Sequence, residues 1–177
     1  MAKVLAVTFA MSQSIEDLTA ILSEIPELTV TEPEIGFPVI EVQTPVSAAT
    51  IAVHGAQVLT WAPTDHPPVL YVSPKAKMTG GKALRGGIPI CWPWFGNHPE
   101  DPQMPSHGFA RTRFWELVSG EMVGKMATIV FKLVSDEETK ALFPFDFELT
   151  ATIRIADKLR VKLNMKNTGV EIYKVSS

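Results

Sequence analysis

The apolar–polar alternation near the end of the chain limits the possible folds more than any other feature of the sequence. Apolar side chains occupy every second position over residues 147–155, and the pattern returns over residues 159–165. A period of two is that of a β-strand, whose successive side chains point to opposite faces. Residues 156–158 suit a short turn between the two runs. The pattern therefore predicts an antiparallel hairpin with one buried face and one face in water.

Shorter runs of the same kind precede this hairpin. They cover residues 40–43, 51–53, 58–61, 69–72, 114–119 and 126–134. One helical turn is predicted between residues 136 and 142. Many short strands separated by turns are typical of an antiparallel β-sandwich, so the sequence predicts a mainly β fold.

One helix is predicted near the N-terminus, over residues 14–25. Ser14 can cap its first turn, and Asp17 occupies the acidic position of a capping box. Pro26 lies where a helix of this length would end. Its apolar residues have helical spacing; they are Ile15, Leu18, Ile21, Leu22 and Ile25. We expect this helix to pack on the outside of the β-domain.

Length and composition exclude several classes of protein. The chain has 177 residues, enough for one domain with its own core, and 46% hydrophobic with 20% charged residues is typical of a globular protein. A net charge of −3 gives no general attraction to nucleic acid or to an anionic membrane. An apolar run over residues 4–11 is short for a signal peptide. The single cysteine, Cys91, fits a reducing, cytoplasmic location.

Residues 85–111 carry the candidate binding site and read RGGIPICWPWFGNHPEDPQMPSHGFAR. Two glycines after Arg85 permit a close backbone approach, and the prolines stiffen the segment. His107 and Arg111 follow an aromatic cluster, which consists of Trp92, Trp94 and Phe95. A stiff loop with aromatic walls and two guanidinium groups suits an anionic, ring-shaped ligand such as a sugar phosphate.

Each of these residues also has an ordinary structural interpretation. Arg85 suits a solvated surface, Arg111 a salt bridge at a strand start, and His107 a hydrogen bond to the backbone. Alternation places one of the two tryptophans inward and the other toward the site, and Phe95 suits either the core or a wall. Cys91 suits a small buried hydrophobe. The four histidines lack the spacing of a zinc site, so we expect no metal.

The segment closely resembles the aldose 1-epimerase-like family, and within it the hexose-6-phosphate mutarotases, or glucose-6-phosphate 1-epimerases. The resemblance extends to residues 56–63 and 69–73 and covers roughly residues 34–169. It implies a galactose-mutarotase-type β-sandwich that binds a hexose 6-phosphate without a cofactor. It also implies that Arg85 and Arg111 face the phosphate and that His107 faces the sugar ring, with Trp92, Trp94 and Phe95 as walls.

The resemblance further implies that part of the family's pattern is missing. Members continue into a second half that supplies a histidine acid and a glutamate base, whereas residues 170–177 match nothing in the pattern. We therefore expect an N-terminal extension (1–33), a partial sandwich (34–169) and a divergent tail (170–177) in a truncated chain.

Three functions follow from this organisation. The chain is an epimerase that is active only when completed, a non-catalytic sugar-phosphate-binding fragment, or an interaction module. Exposed sheet edges are expected to promote self-association. The tail is expected to be disordered or to pair as an edge strand.

Overall fold

The structure is a computed structural model that describes residues 13–176. The apolar run over residues 4–11 lies outside the described residues. None of the helices in the described range is long and apolar enough to cross a membrane. The elements are α1 (Ile15–Leu22), β1 (Leu28–Glu34), β2 (Phe37–Gln43), β3 (Ser47–Ala52), β4 (Gln57–Pro63), β5 (Glu116–Val123), β6 (Met126–Val134), α2 (Glu137–Leu142), β7 (Phe147–Ile155) and β8 (Leu159–Asn167).

The strands form two antiparallel sheets, each a meander of four consecutive strands. The first sheet has the order β1-β2-β3-β4 and the second the order β5-β6-β7-β8. Buried side chains from both sheets form one hydrophobic core, and β3 contacts β7 across it. The predicted mainly β fold of antiparallel sheets is confirmed, and neither sheet closes on itself.

The predicted hairpin is formed by β7 and β8, which pair in continuous register from Phe147↔Asn167 to Ile155↔Leu159. The inward residues of β7 are all buried. The corresponding residues of β8 are half-buried or exposed, and Met165 is 52% exposed. β8 is the last strand of its sheet, so its apolar side is covered less well than that of β7.

Helix α1 begins as predicted and ends earlier. The Ser14 hydroxyl accepts a hydrogen bond from the Asp17 amide (3.1 Å), and the Asp17 carboxylate accepts one from the Ser14 amide (2.9 Å). This is the capping box that the sequence predicted. The helix ends at Leu22 and not near residue 25, because Pro26 disfavours helical geometry in the residue before it.

α1 lies across the first strands of the two sheets, since it contacts both β1 and β5. Leu18 and Leu22 are buried in the main core. The Gln13 side chain donates to the Leu117 carbonyl (3.0 Å) and accepts from the Leu117 amide (2.7 Å), which ties the start of the helix to β5. The helix is outside the sheets as expected, but one of its sides completes the core.

Strand β1 was not predicted. It spans the boundary that the sequence analysis placed at residue 34, and it pairs with β2 from Leu28↔Val42 onward. Leu28 is its only fully buried residue within the described strand, because β1 is an edge strand. A strand with so little burial gives a weak alternation signal.

A third layer covers the outer face of the first sheet. Residues between β4 and residue 110 form no named strand, and part of this segment packs on a second small core. The members of that core are Phe37, Val39, Ala52, Leu59 and Leu84, with Val72, Ala76 and Met78 against them. This layer explains why the first half of β2 is buried on both faces.

The predicted strand over residues 69–72 is wrong. Within it only Val72 makes a β-bridge, to Gly86, while Val69 and Tyr71 are 61% and 72% exposed. The Val69 amide donates to the Trp61 carbonyl of the edge strand β4 (2.9 Å), but this bond and the Val72 bridge do not continue into a ladder. β6 agrees with its prediction at both ends, and β5 begins later than predicted, at Glu116.

The end of the described chain neither forms a strand nor stands alone. The Tyr173 ring packs against Phe143 (ring centroids 5.1 Å apart) and Phe145 (5.3 Å). The Ser176 amide donates to the Pro93 carbonyl (3.1 Å). The expectation of an edge strand in the tail is therefore wrong, because this segment contacts aromatic rings beside the candidate site and pairs with no strand. The alternative of a disordered tail stays a prediction.

Candidate functional site

The Arg85 turn is anchored through its backbone, while its side chain is exposed. The Arg85 carbonyl accepts a hydrogen bond from the Ser73 amide (3.1 Å). The Gly87 amide donates to the Tyr71 carbonyl, and the Ile88 amide donates to the Val58 carbonyl, both at 2.8 Å. These bonds attach the turn to the third layer on one side and to β4 on the other.

Gly86 and Gly87 are required by contacts within the chain. Their φ angles are +128° and +62°, which L-residues with a Cβ rarely adopt. A Cβ on Gly86 would overlap the backbone of Tyr71 and Val72, and one on Gly87 would overlap the Val58 carbonyl. The sequence analysis attributed these glycines to close approach of a ligand, whereas the close approach that the structure contains is between backbone segments.

A buried glutamine supports the same turn. Gln57, the first residue of β4, is fully buried. Its Nε2 donates to the Gly86 carbonyl (2.6 Å) and to the Leu84 carbonyl (3.3 Å), so it contacts the residues on both sides of Arg85. The sequence analysis missed Gln57, since its only local signal is a polar residue at the start of a buried strand.

His107 is held by both its backbone and its ring. Its φ is +66°, its amide donates to the Gly96 carbonyl (2.6 Å), and its Nδ1 accepts from the Gly96 amide (3.1 Å). Because Nδ1 accepts, the neutral imidazole carries its proton on Nε2, which is therefore a donor. The Phe95 ring packs edge-on against this imidazole, with the centroids 4.7 Å apart.

Arg111 is joined to the His107 turn. Its Nη2 donates to the Ser106 carbonyl (2.8 Å), while its buried Nε has no hydrogen-bond partner among residues 13–176. Burial raises the pKa of the Cys91 thiol, and the positive charge of Arg111 opposes that shift, so the thiol lies within the field of the guanidinium.

The ion pair expected as an alternative for Arg111 belongs to Arg113. The buried Arg113 guanidinium pairs with Asp136 (2.6 Å) and with Glu138 at the start of α2. Partial burial opposes ionisation of Asp136, but hydrogen bonds from Thr139 and the charge of Arg113 lower its pKa overall. This network attaches α2 to Arg113. Arg111 takes no part in these ion pairs, and its guanidinium bonds to the Ser106 carbonyl.

The turn between β3 and β4 connects the two arginine segments. A Cβ on Gly55 would lie 2.9 Å from the Arg111 carbonyl oxygen, so the Arg111 backbone packs directly on this turn. Gln57, two residues later, holds the residues around Arg85. The structure thus brings Arg111 and His107 together through Ser106. Arg85 is joined to the start of β4 through Gln57, and within residues 13–176 its side chain forms no hydrogen bond with His107 or Arg111.

The aromatic residues divide differently from the prediction, because both tryptophans are buried. Trp92 packs in the core against Phe147 (centroids 4.4 Å apart), and Trp94 donates from Nε1 to the Pro105 carbonyl (2.9 Å). Strand alternation fails here because the segment makes only the bridge Trp92↔Gly108 and no continuous ladder. Phe95 is 60% exposed beside His107. The assignment of these three residues as walls of the site stays a prediction.

His54 lies in the wall that supports the third layer. Its ring is buried between Phe37 (centroids 5.3 Å apart) and Phe114 (5.0 Å), and its Nε2 accepts a hydrogen bond from the Gly81 amide (3.1 Å). Burial lowers the pKa of His54 to about 4, although the Thr112 backbone opposes the shift. Its imidazole is therefore neutral at neutral pH and acts as an acceptor for the loop. Within residues 13–176 no cluster of His, Cys, Asp and Glu could hold a metal ion.

Comparison with known proteins identifies the family. Residues 38–176 match the family model described as aldose 1-epimerase, which is well over half of the chain. The chain belongs to the aldose 1-epimerase family. The resemblance expected from the segment around Arg85 is thereby confirmed.

Relatives within the family agree with this assignment. A protein of Escherichia coli (strain K12), provisionally named glucose-6-phosphate 1-epimerase, is 38% identical over 124 residues, which are 70% of this chain and 42% of that protein. The crystal structure of a protein from Salmonella typhimurium, provisionally named a mutarotase, matches with a TM-score of 0.76 and 35% identity over 80% of this chain and 47% of that one. The chain thus spans less than half the length of these relatives.

A more distant structure supports the fold alone. A galactose mutarotase-like protein from Lactobacillus casei is 23% identical, with a TM-score of 0.58 over 73% of this chain and 44% of that one. The galactose-mutarotase type of sandwich that the resemblance implied is therefore confirmed as the fold of this member of the family.

Proposed function

We propose that this chain binds a hexose 6-phosphate and forms the substrate-holding part of a glucose-6-phosphate 1-epimerase. The observation that carries the proposal is the exposed Arg85 side chain on a turn that is fixed by backbone bonds and by Gln57. The provisional name of the Escherichia coli relative supports the choice of substrate. A cytoplasmic location belongs to the proposal, because Cys91 is a free cysteine.

In this proposal the two arginines bind the phosphate and His107 binds the sugar. A guanidinium fork matches the oxygens of a phosphate, and Arg111 has a buried Nε without a protein partner in the described range. The Nε2 of His107 donates to a hydroxyl or ring oxygen of the hexose. The exposed ring of Phe95, which packs on His107, provides an apolar surface for the sugar.

Mutarotation requires two proton transfers, which are the second part of the proposal. A base removes the proton of the anomeric hydroxyl, an acid protonates the ring oxygen, and the opened sugar closes to the other anomer. The family resemblance implies that the histidine acid and the glutamate base lie in the second half of the family's pattern. The 177 residues of this sequence do not match that half. We therefore expect these residues by themselves to bind the sugar phosphate without turnover.

Calorimetry tests the binding assignment. Glucose 6-phosphate should bind more tightly than glucose, and Arg85→Ala should weaken its binding by about 1.5–3 kcal/mol, the range for a hydrogen bond to a charged group. Lys82→Ala is the matched control, because Lys82 is an exposed cation in the same layer. Equal affinities for glucose and glucose 6-phosphate would rule out the phosphate assignment.

Exchange NMR on the anomers of glucose 6-phosphate tests the second part. The 177 residues should leave the spontaneous rate of exchange unchanged. An acceleration of about a hundredfold that copurifies with the protein would show that an acid and a base are present in this chain, since each contributes roughly that much or more.

A further inference from the structure

Gln57 is a polar side chain in the interior of the protein, where polar groups are uncommon unless they form hydrogen bonds. The residue is completely buried, yet its Oε1 has no hydrogen-bond partner among residues 13–176. A buried amide oxygen that has lost water without gaining a donor is unfavourable. The favourable contribution of this side chain must therefore come from the hydrogen bonds that the amide nitrogen, Nε2, donates.

The amide nitrogen of Gln57 joins two parts of the chain that are distant in sequence. It donates to the carbonyls of Leu84 and Gly86, which are 27 and 29 residues away. Those two carbonyls flank Arg85. The orientation of the amide is settled by these contacts, because Oε1 in the place of Nε2 would face two carbonyl oxygens.

The same turn is held on its other sides as well. The Leu84 side chain is buried in the second core, and the Arg85 carbonyl and Gly87 amide bond to the segment at residues 71–73. The Ile88 amide connects the turn to Val58 of β4, and Gln57 adds a side-chain connection to β4 on both sides of Arg85. With the backbone fixed on both sides, the Arg85 side chain is the part of the turn that remains free to meet a ligand.

We propose that Gln57 is a positioning residue, which fixes the backbone around Arg85 so that its guanidinium binds a phosphate with little loss of freedom. This inference rests on the proposed function, in which Arg85 faces the phosphate of a hexose 6-phosphate. Gln57 itself touches no ligand. Fixing the residue that carries a binding group is how supporting hydrogen bonds raise affinity.

A double-mutant cycle separates positioning from general support of the fold. Gln57→Met keeps the length of the side chain and removes both donors. The affinity of this variant for glucose 6-phosphate should fall about five- to tenfold, in line with the loss of hydrogen bonds. Its affinity for glucose should change less than about twofold. In an Arg85→Ala background the same substitution should have no further effect on glucose 6-phosphate.

Two further variants make the result decisive. Gln57→Leu also removes both donors and keeps an apolar side chain of similar volume, so it should reproduce the pattern if the methionine variant does not fold. Thr139→Val removes a buried hydroxyl from α2, and it should reduce stability without altering the preference for the phosphorylated sugar.

The outcomes distinguish the inference from the proposed function. Equal losses of affinity for glucose and glucose 6-phosphate, or a loss that persists when Arg85 is already alanine, would overturn the role of Gln57. If Arg85→Ala lowers the affinity for glucose 6-phosphate and Gln57→Met does not, the role of Gln57 is overturned as well, while the phosphate assignment is kept. Wild-type affinity in Arg85→Ala would overturn both.

Discussion

Protonation of His54 should destabilise the protein in mildly acidic solution. Burial lowers the pKa of this histidine from 6.5 to about 4 in the folded protein. Between these two values the unfolded chain binds a proton that the folded chain does not. The contribution of neutral His54 to the free energy of unfolding is therefore fully present above pH 6.5, and it is lost as the pH falls toward 4.

The size of the effect follows from the two pKa values. Linkage for one group that titrates at 6.5 when unfolded and about 4 when folded gives a loss of about 2 kcal/mol between pH 7 and pH 5. That is a large share of the roughly 5–15 kcal/mol that stabilises a typical domain. The main structural cause is burial, because a proton on Nε2 would charge a ring that lies between Phe37 and Phe114. The same proton would also end the hydrogen bond from the Gly81 amide.

Urea unfolding at pH 7, 6 and 5 measures this effect. His54→Gln is the comparison, because glutamine is polar and does not titrate. The variant should be less stable at pH 7 but should lose about 2 kcal/mol less than the wild type between pH 7 and pH 5. NMR of the ring proton should give a midpoint near 4. Parallel pH profiles for the two proteins, or a folded-state midpoint near 6.5, would refute the argument.

Three other predictions concern packing. Gly108→Ala should destabilise the fold by about 2 kcal/mol or more, because its Cβ would overlap the Trp92 carbonyl, whereas Gly124→Ala, with a similar φ and open space, should cost about 1 kcal/mol in the same urea assay. Leu18→Ala should lower the free energy of unfolding by about 2–5 kcal/mol and the exposed Thr19→Ala by less than about 0.5, as chemical denaturation will show. Light scattering at micromolar concentration should detect self-association that Met165→Lys reduces, and a monomeric wild type would contradict this.

Much of the fold could be predicted because its signals are local. The alternation in β7 and β8, the capping box of α1 and both ends of β6 depend on residues that are neighbours in sequence. The failures have the opposite character. β1 is recognisable through its pairing with β2, and residues 69–72 have strand composition without a continuous ladder. Their state is decided by tertiary contacts that a local pattern does not contain.

The candidate site divides in the same way. Arg85, His107 and Arg111 lie in one continuous segment with a recognisable order of residues. Gln57 supports that segment from 27 and 29 residues away, and no spacing rule connects it to Arg85. The hydrogen bond of the buried Trp94 indole depends likewise on the return of the chain at Pro105, whose carbonyl accepts it.

The position of α1 has a consequence for the order in which the chain folds. Each sheet is a meander of adjacent strands, so its hairpins need only short loops to close. The bonds between Gln13 and Leu117 join residues 104 positions apart. During synthesis the helix is made first, but its docking surface on β5 emerges only after most of the chain. Until then only β1 is available to cover the apolar side of α1, so an N-terminal portion released before β5 is complete should be prone to aggregation.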